Sequence, residues 1–342
     1  MSSASFSEPE QSQGGESTSD SHQQDSRNGV EDLRPIIERA LADAAQLGDG
    51  CPEHLATAIR YALLAPGKRL RPALVLMSAE ACGGAIDEAL PGAVAVEMIH
   101  AYSLIHDDLP AMDDDDIRRG RPTVHIAFDE ATAILAGDAL QPLAFQHLSE
   151  NISDPARAVE AIRLLATAAG PEKLVGGQAD DLAADSASKA SMQAKPEDCE
   201  GKPEPHSDQM RNSEIRTVAH LESIHRRKTG ALFTASLELG AVLSGASQAS
   251  REAVTNYASD LGLAFQVVDD VLDHVADESS LGKRVGKDAS RGKLTYPGLL
   301  GIDAAREKAD QLVQSAKAHV LLFGDAAWRL NWLADYVHQR TH

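Results

Sequence analysis

Two runs of aspartate are the residues of this chain with the most chemistry to offer. The first is Asp107-Asp108-Leu109-Pro110-Ala111-Met112-Asp113, continued by Asp114, Asp115 and Asp116. The second is Asp269-Asp270-Val271-Leu272-Asp273. Each follows an apolar stretch. Residues four apart share a helical face, so Asp269 and Asp273 point the same way with Asp270 beside them, and like charges at that spacing destabilise a bare helix. Carboxylate oxygens are the hard ligands magnesium prefers, its shell completed by waters and substrate phosphates. Asp107 and Asp113 are six apart, which a straight helix does not align. Pro110 lacks an N–H and is expected to kink or bulge the helix, bringing Asp113 back towards Asp107. One acidic run is commonly a solvated turn; two runs, each at the polar end of an apolar helix, are poorly explained that way. Asp114 to Asp116 read as ordinary solvated residues.

A cation cage calls for an anion, and the chain carries basic partners for one. Gly67-Lys68-Arg69-Leu70-Arg71-Pro72 is a dense basic turn, Arg118-Arg119-Gly120-Arg121 follows the first acidic run, and Gly282-Lys283-Arg284 follows the second. Arginine offers phosphate a planar fork and lysine a mobile point charge. The Gly67 turn is not a Walker loop, because the Gly-x4-Gly-Lys-Ser/Thr spacing is absent; taken alone it is a basic loop and no more. His100 lies seven residues before Asp107, so at about 100° per residue it sits roughly 20° off the same face. A lone histidine on an apolar helix is otherwise a satisfied core residue.

The elements that must position these groups are helices. Leu33, Ile36, Ile37, Ala40 and Leu41 follow an i, i+3, i+4 stripe. Asp87 to His106 is apolar almost all round, as in a helix at the centre of a bundle; Ala131 to Leu148, Leu232 to Leu243 and Asn256 to Asp273 are further helical stretches. No strand alternation or hairpin signal stands out. The expected architecture is all-α: a single-domain bundle of about ten or more helices. Residues 1–28 are too polar to bury a core and are expected to be a disordered tail ahead of a domain over 29–342. Residues 186–213, rich in Lys, Pro, Glu and Ser, are expected to be a flexible insert.

Composition sets the outer limits. Of 342 residues 43% are hydrophobic and only 4% aromatic, a balance that suits packed Ala/Leu helices. The net charge of −20 argues against a nucleic-acid surface. Cys51, Cys82 and Cys199 match no metal-ligand spacing and fit a reducing compartment. No basic-then-apolar leader and no stretch of ~20 apolar residues is present, so a cytoplasmic protein without stable membrane insertion is expected.

In order, Gly-Lys-Arg-Leu-Arg-Pro at 67–72, His-Asp-Asp-Leu-Pro-Ala-Met-Asp at 106–113 with Arg118-Arg119-Gly120, Lys-Thr-Gly at 228–230 and Phe-Gln-x-x-Asp-Asp-x-x-Asp at 265–273 resemble the trans-isoprenyl diphosphate synthase family over about residues 30 to 342. The resemblance is closest to its bacterial farnesyl diphosphate synthase branch, whose first Asp motif carries two extra residues, as here. It implies an isoprenoid-synthase bundle around a central cavity, usually a homodimer. It implies that Asp107, Asp108 and Asp113, with Asp269, Asp270 and Asp273 opposite, hold about three magnesium ions against an allylic diphosphate. Arg118, Lys228 and Lys283 would contact that diphosphate, and Lys68, Arg71, His100 and Arg119 would hold isopentenyl diphosphate. Thr229, Gln266 and the Lys228 carbonyl would face the carbocation. Gln178, in Gly176-Gly177-Gln178, matches a family motif but gains no ligand role. Tyr102 and Ser103, five and four before Asp107, would set product length, an aromatic at the first implying (2E,6E)-farnesyl diphosphate. Simple periodicity places Ser103 and Leu104 beneath the carboxylates and leaves Tyr102 to one side. The alternatives are a geranyl or geranylgeranyl diphosphate synthase, a terpene cyclase, which usually lacks the second Asp-rich motif, and a non-catalytic subunit, in which one cluster would be eroded.

Overall fold

Helix α1 (Leu33–Ala44) buries Leu33, Ile37 and Leu41, the stripe its periodicity predicts. It leads through α2 (Glu53–Leu63) and α3 (Leu70–Ala81) into α4 (Ile86–Asp107), which is buried on nearly every face from Ala89 to Ile105. The computed structural model describes residues 29–193, 217–228, 230–280 and 295–340. After α4 come the short helix α5 (Val124–Ala127), α6 (Glu130–Asn151), α7 (Pro155–Ala169) and α8 (Leu174–Gln193). Then follow α9 (Val218–Lys228), α10 (Gly230–Leu243), α11 (Gln248–Ser280), α12 (Tyr296–Leu300), α13 (Ile302–His319), a 3₁₀ segment (Leu321–Ala327) and α14 (Trp328–Gln339). The all-α bundle expected from periodicity is therefore the observed fold.

Helices α3, α4 and α10 form the centre, with α6 and α7 on one side and the α11–α13 pair on the other. Apolar composition all round marks α4 and α10 as interior, and their few polar groups are satisfied. Ser236 of α10 donates to the Leu232 carbonyl (2.6 Å), and Ser78 of the neighbouring α3 donates to the Leu237 carbonyl of α10 (2.6 Å). The starts of α6 and α7 follow capping rules. Asp129 accepts from the Thr132 amide (2.8 Å) at the head of α6, and Asp154 from the Ala156 amide (2.9 Å), with Pro155 opening α7. The chain ends are stapled together by Arg329, 5% exposed, which donates to Asp32 (2.7 and 2.8 Å), Glu80 (2.5 Å) and the Gly29 carbonyl (2.7 Å).

Three features depart from the sequence reading. Pro110 does not kink α4: the helix stops at Asp107, with Asp108 as its C-cap, because the residue before a proline is driven out of the helical region. A hairpin is present, β1 (Ile117–Arg118) pairing antiparallel with β2 (Arg121–Pro122). Strands of two residues are too short to show alternation, which is why none was expected. Its turn needs left-handed backbone at Arg119 (φ 53°) and Gly120 (φ 75°), the second of which only glycine takes without cost. Finally, α8 continues through Gln193 into the stretch assigned to the insert. The rest of that stretch, the tail over 1–28, Thr229 and Lys283 lie outside the described residues. Among the described residues no helix is long and apolar enough to cross a membrane.

Candidate active site

The first Asp motif hangs from the carboxyl end of α4. Beyond Pro110 the chain doubles back, so that the Asp113 amide donates to the Asp107 carbonyl (2.8 Å) and the Asp115 amide to the Asp108 carbonyl (3.2 Å). The fold-back answers the six-residue spacing that a helix could not. Asp107 and Asp108 occupy the negative end of the α4 dipole, a place where carboxylates are disfavoured and a cation welcome. Burial pushes the Asp107 carboxyl up to about 6; Lys228 opposes the rise, Asp113 and Asp108 add to it, and Arg118 offsets it. Asp108, 3% exposed, is also raised by burial, against the guanidinium of Arg118, whose Nε donates to its Oδ1 at 2.6 Å. The hairpin thus delivers Arg118 to the first motif.

The second motif lies on α11. Burial raises Asp269, while Arg340 at 2.9 Å and the Lys68 charge hold it down and Asp273 adds to the rise. Asp270 accepts the Tyr296 backbone N–H at 3.0 Å. Asp273 is exposed. Arg340 comes from the end of the described chain, its guanidinium also 5.0 Å from the Phe265 ring centroid, and its buried Nη1 has no hydrogen-bond partner among the described residues.

The basic turn splits by role. Arg69 (φ 50°, 4% exposed) is spent on the fold, pairing with Glu38 (2.9 Å) and Glu97 (2.8 Å). Lys68 is exposed and lies within electrostatic reach of Asp269. Arg71 Nη1 donates to His100 Nε2 (3.2 Å), which leaves Nδ1 of a neutral ring to carry the proton, and among the described residues the buried Arg71 Nε has no partner. Arg119 donates to the Pro66 carbonyl (3.1 Å). Burial lowers Arg71, and Glu97 offsets this while Arg119 adds to it; His100 is lowered well below 6.5 by burial and then by Arg71 and Arg119. Arg71, Arg119 and His100 thus crowd cationic and cation-facing groups together, an arrangement that a nearby anion would relieve. Among the described residues the non-glycines with positive φ are Arg69, Asp114 and Arg119, all in these loops; strain of about 1 kcal/mol each collects where the site is built.

Beside Asp107 lies a cavity of about 260 Å³ lined by Tyr102, Ser103, His106, Met112, Leu174, Val175, Gln178, Ala179 and Leu182. Both Tyr102 and Ser103 face it, so the simple wheel that set Tyr102 aside misjudged its position. Lys228, at the end of α9, is paired with Asp181 of α8 and acts on Asp107. Gln266 does not reach this cavity: it lines a groove of about 870 Å³ between α7, α9, α10 and α11, with Thr234 and Leu263. Sequence reading missed Arg340, Tyr296 and Asp181. The first two carry no local signal; Asp181 stands three residues after the Gly176-Gly177-Gln178 motif, which could have pointed to it.

Among the described residues no three carboxylate, imidazole or thiol groups already converge as a metal cage. The donor set nonetheless fits a hard divalent cation. Oxygen ligands of like charge crowd around Asp107, held up by burial and with too little neighbouring positive charge, and magnesium takes only one or two carboxylates before drawing on waters and phosphates.

Fold and site together define an all-helical protein in which buried carboxylates and basic side chains gather at the end of a central helix, and comparison with known proteins places it. Residues 52–320 match the polyprenyl synthetase family model, and the chain belongs to that family of prenyltransferases, which act on isopentenyl and allylic diphosphates and use a divalent metal, typically magnesium. It is 45% identical over 291 residues to farnesyl diphosphate synthase of Escherichia coli, covering 83% of this chain and 88% of the relative. It is 40% identical over 311 residues to geranylgeranyl diphosphate synthase of Cyanophora paradoxa, covering 90% and 94%. The crystal structure of an FPP/GFPP synthase from Zymomonas mobilis superposes with a TM-score of 0.73 at 38% identity, covering 90% of this chain and 96% of that one.

Proposed function

We propose that this chain condenses isopentenyl diphosphate with dimethylallyl and then geranyl diphosphate to give (2E,6E)-farnesyl diphosphate. The observation that carries the reading is the meeting of two unlike clusters: the basic cluster Arg71–His100–Arg119, whose Arg71 Nε has no partner among the described residues, and the carboxylates of Asp107 and Asp108. One diphosphate held by side chains alone and one held through cations is what a head-to-tail condensation needs.

Arg71, Arg119 and Lys68 bind the isopentenyl diphosphate, with neutral His100 donating from Nδ1. Arg118 orients Asp108 and reaches the allylic diphosphate with Lys228, while Asp107, Asp108, Asp113, Asp269, Asp270 and Asp273 would hold about three magnesium ions. Magnesium, when bound, supplies Lewis-acid stabilisation of the leaving diphosphate. The apolar cavity wall keeps water from the allylic tail, and Tyr102 forms its floor. The proton lost after coupling passes to the departed diphosphate, so no protein base is required. Thr229 and Gln266 are assigned to the carbocation by family pattern alone. A geranylgeranyl product is the second reading, supported by the Cyanophora relative. Separating hydrolysed products by chain length tests both: fifteen carbons supports the farnesyl reading, and twenty carbons replaces it.

A further inference from the structure

Resting on the reading that Lys228 contacts the allylic diphosphate, we propose that Asp181 is a positioning residue that holds the Lys228 ammonium at the allylic site and off the Asp107 carboxylate. The Gly176-Gly177-Gln178 motif, so far without a role, prepares this contact. Helix α8 meets the end of α9 so closely that a Cβ on Gly177 would lie 2.5 Å from Lys228 N, 2.8 Å from its Cα and 2.9 Å from the Arg227 carbonyl carbon. Backbone atoms cannot step aside for such a group, so the approach demands glycine.

One turn further along α8, two carboxylates reach across the same junction. Asp180 pairs with Arg227 at 2.8 Å, and Asp181 Oδ2 accepts from Lys228 Nζ. The same helix presents Leu174, Gln178 and Leu182 to the cavity that Tyr102 and Asp107 share. Backbone and ammonium of Lys228 are therefore both referenced to the wall of that cavity.

The need for a second carboxylate follows from charge. Lysine is a point charge on a flexible four-carbon stem, and Lys228 already acts on Asp107. With Asp181 removed, the ammonium has the first Asp motif to settle on, where it would displace a cation from its ligand. Both partners of the Asp181–Lys228 pair are partly exposed, at 31% and 26%, so the pair is weak enough to yield to a diphosphate of higher charge.

The test is steady-state kinetics with geranyl and isopentenyl diphosphates varied separately, alongside the thermal midpoint of each variant. Asp181→Asn is expected to raise KM for geranyl diphosphate about tenfold and to leave KM for isopentenyl diphosphate within about twofold. Asp181→Glu restores most of the loss. Asp180→Asn, which breaks only the neighbouring Arg227 pair, lowers the thermal midpoint without moving either KM. In a Lys228→Gln background, Asp181→Asn adds less than about twofold, because the partner it positions is gone. An equal rise for both substrates, or the full tenfold effect on top of Lys228→Gln, makes Asp181 a structural clasp and overturns the proposal. If Lys228→Gln alone leaves the geranyl KM unmoved, the underlying reading of Lys228 falls and the proposal with it, a pattern distinct from the first two.

Discussion

Asp108 and Asp270 are each engaged by the fold, one by Arg118 and the other by the Tyr296 amide, so their carboxylates are fixed in direction before any ligand arrives. Asp108→Ala or Asp270→Ala is expected to cut turnover about 100- to 1,000-fold with the helical circular dichroism unchanged; near-normal turnover would remove them from the metal set. His100 supplies a pH prediction. Its lowered pKa means that the ring is neutral at pH 6.5, where a free imidazole is half protonated. Because the unfolded chain binds that proton more readily, this site costs no stability above about pH 6.5 and destabilises progressively as pH falls below it. Bound diphosphate favours the charged ring, so NMR titration should show the His100 midpoint well below 6.5 in the free protein and higher with inorganic diphosphate present. At this scale the Asp motifs, Arg71 and His100 were legible because each sits in a local pattern. Arg340 and Tyr296 were not, because only the tertiary fold brings them to α11.

Helix α4 is the element on which the site depends, and its limits were legible: an all-apolar run ending at acidic residues ahead of a proline. What Pro110 does was not, since a kinked helix and a terminated one share the same local sequence. The hairpin that carries Arg118 was invisible for a related reason, its two-residue strands being shorter than any periodicity. Product length belongs to this scale. Tyr102 is 5% exposed, stacks edge-on against His106 (centroids 5.7 Å apart) and lines the cavity five residues before Asp107. Tyr102→Ala should deepen that cavity and shift the product towards twenty carbons or more, read by chromatography of the hydrolysed prenols. An unchanged product would move the floor to another residue, with Leu182 and Val175 on the facing helix next in line.

Across the whole molecule, the net charge is −20, yet Arg71, Arg118 and Arg119 gather positive charge around His100 and Lys68 lies within reach of Asp269. The all-α class was legible from composition and periodicity, which average over many residues. The closure of the bundle was not, because it relies on contacts such as those of Arg329 with Asp32 and Glu80, some 250 to 300 positions apart. Arg329→Met should leave Asp32, Glu80 and the Gly29 carbonyl without their donor and cost about 3 kcal/mol, seen as a lower thermal midpoint with KM values unchanged. The central claim, that two diphosphate sites of unlike construction meet beside the Asp107 cavity, is tested most directly by supplying labelled isopentenyl diphosphate with dimethylallyl or geranyl diphosphate, with and without magnesium. The predicted result is a fifteen-carbon diphosphate formed only when magnesium is present; failure to extend any allylic primer would contradict it.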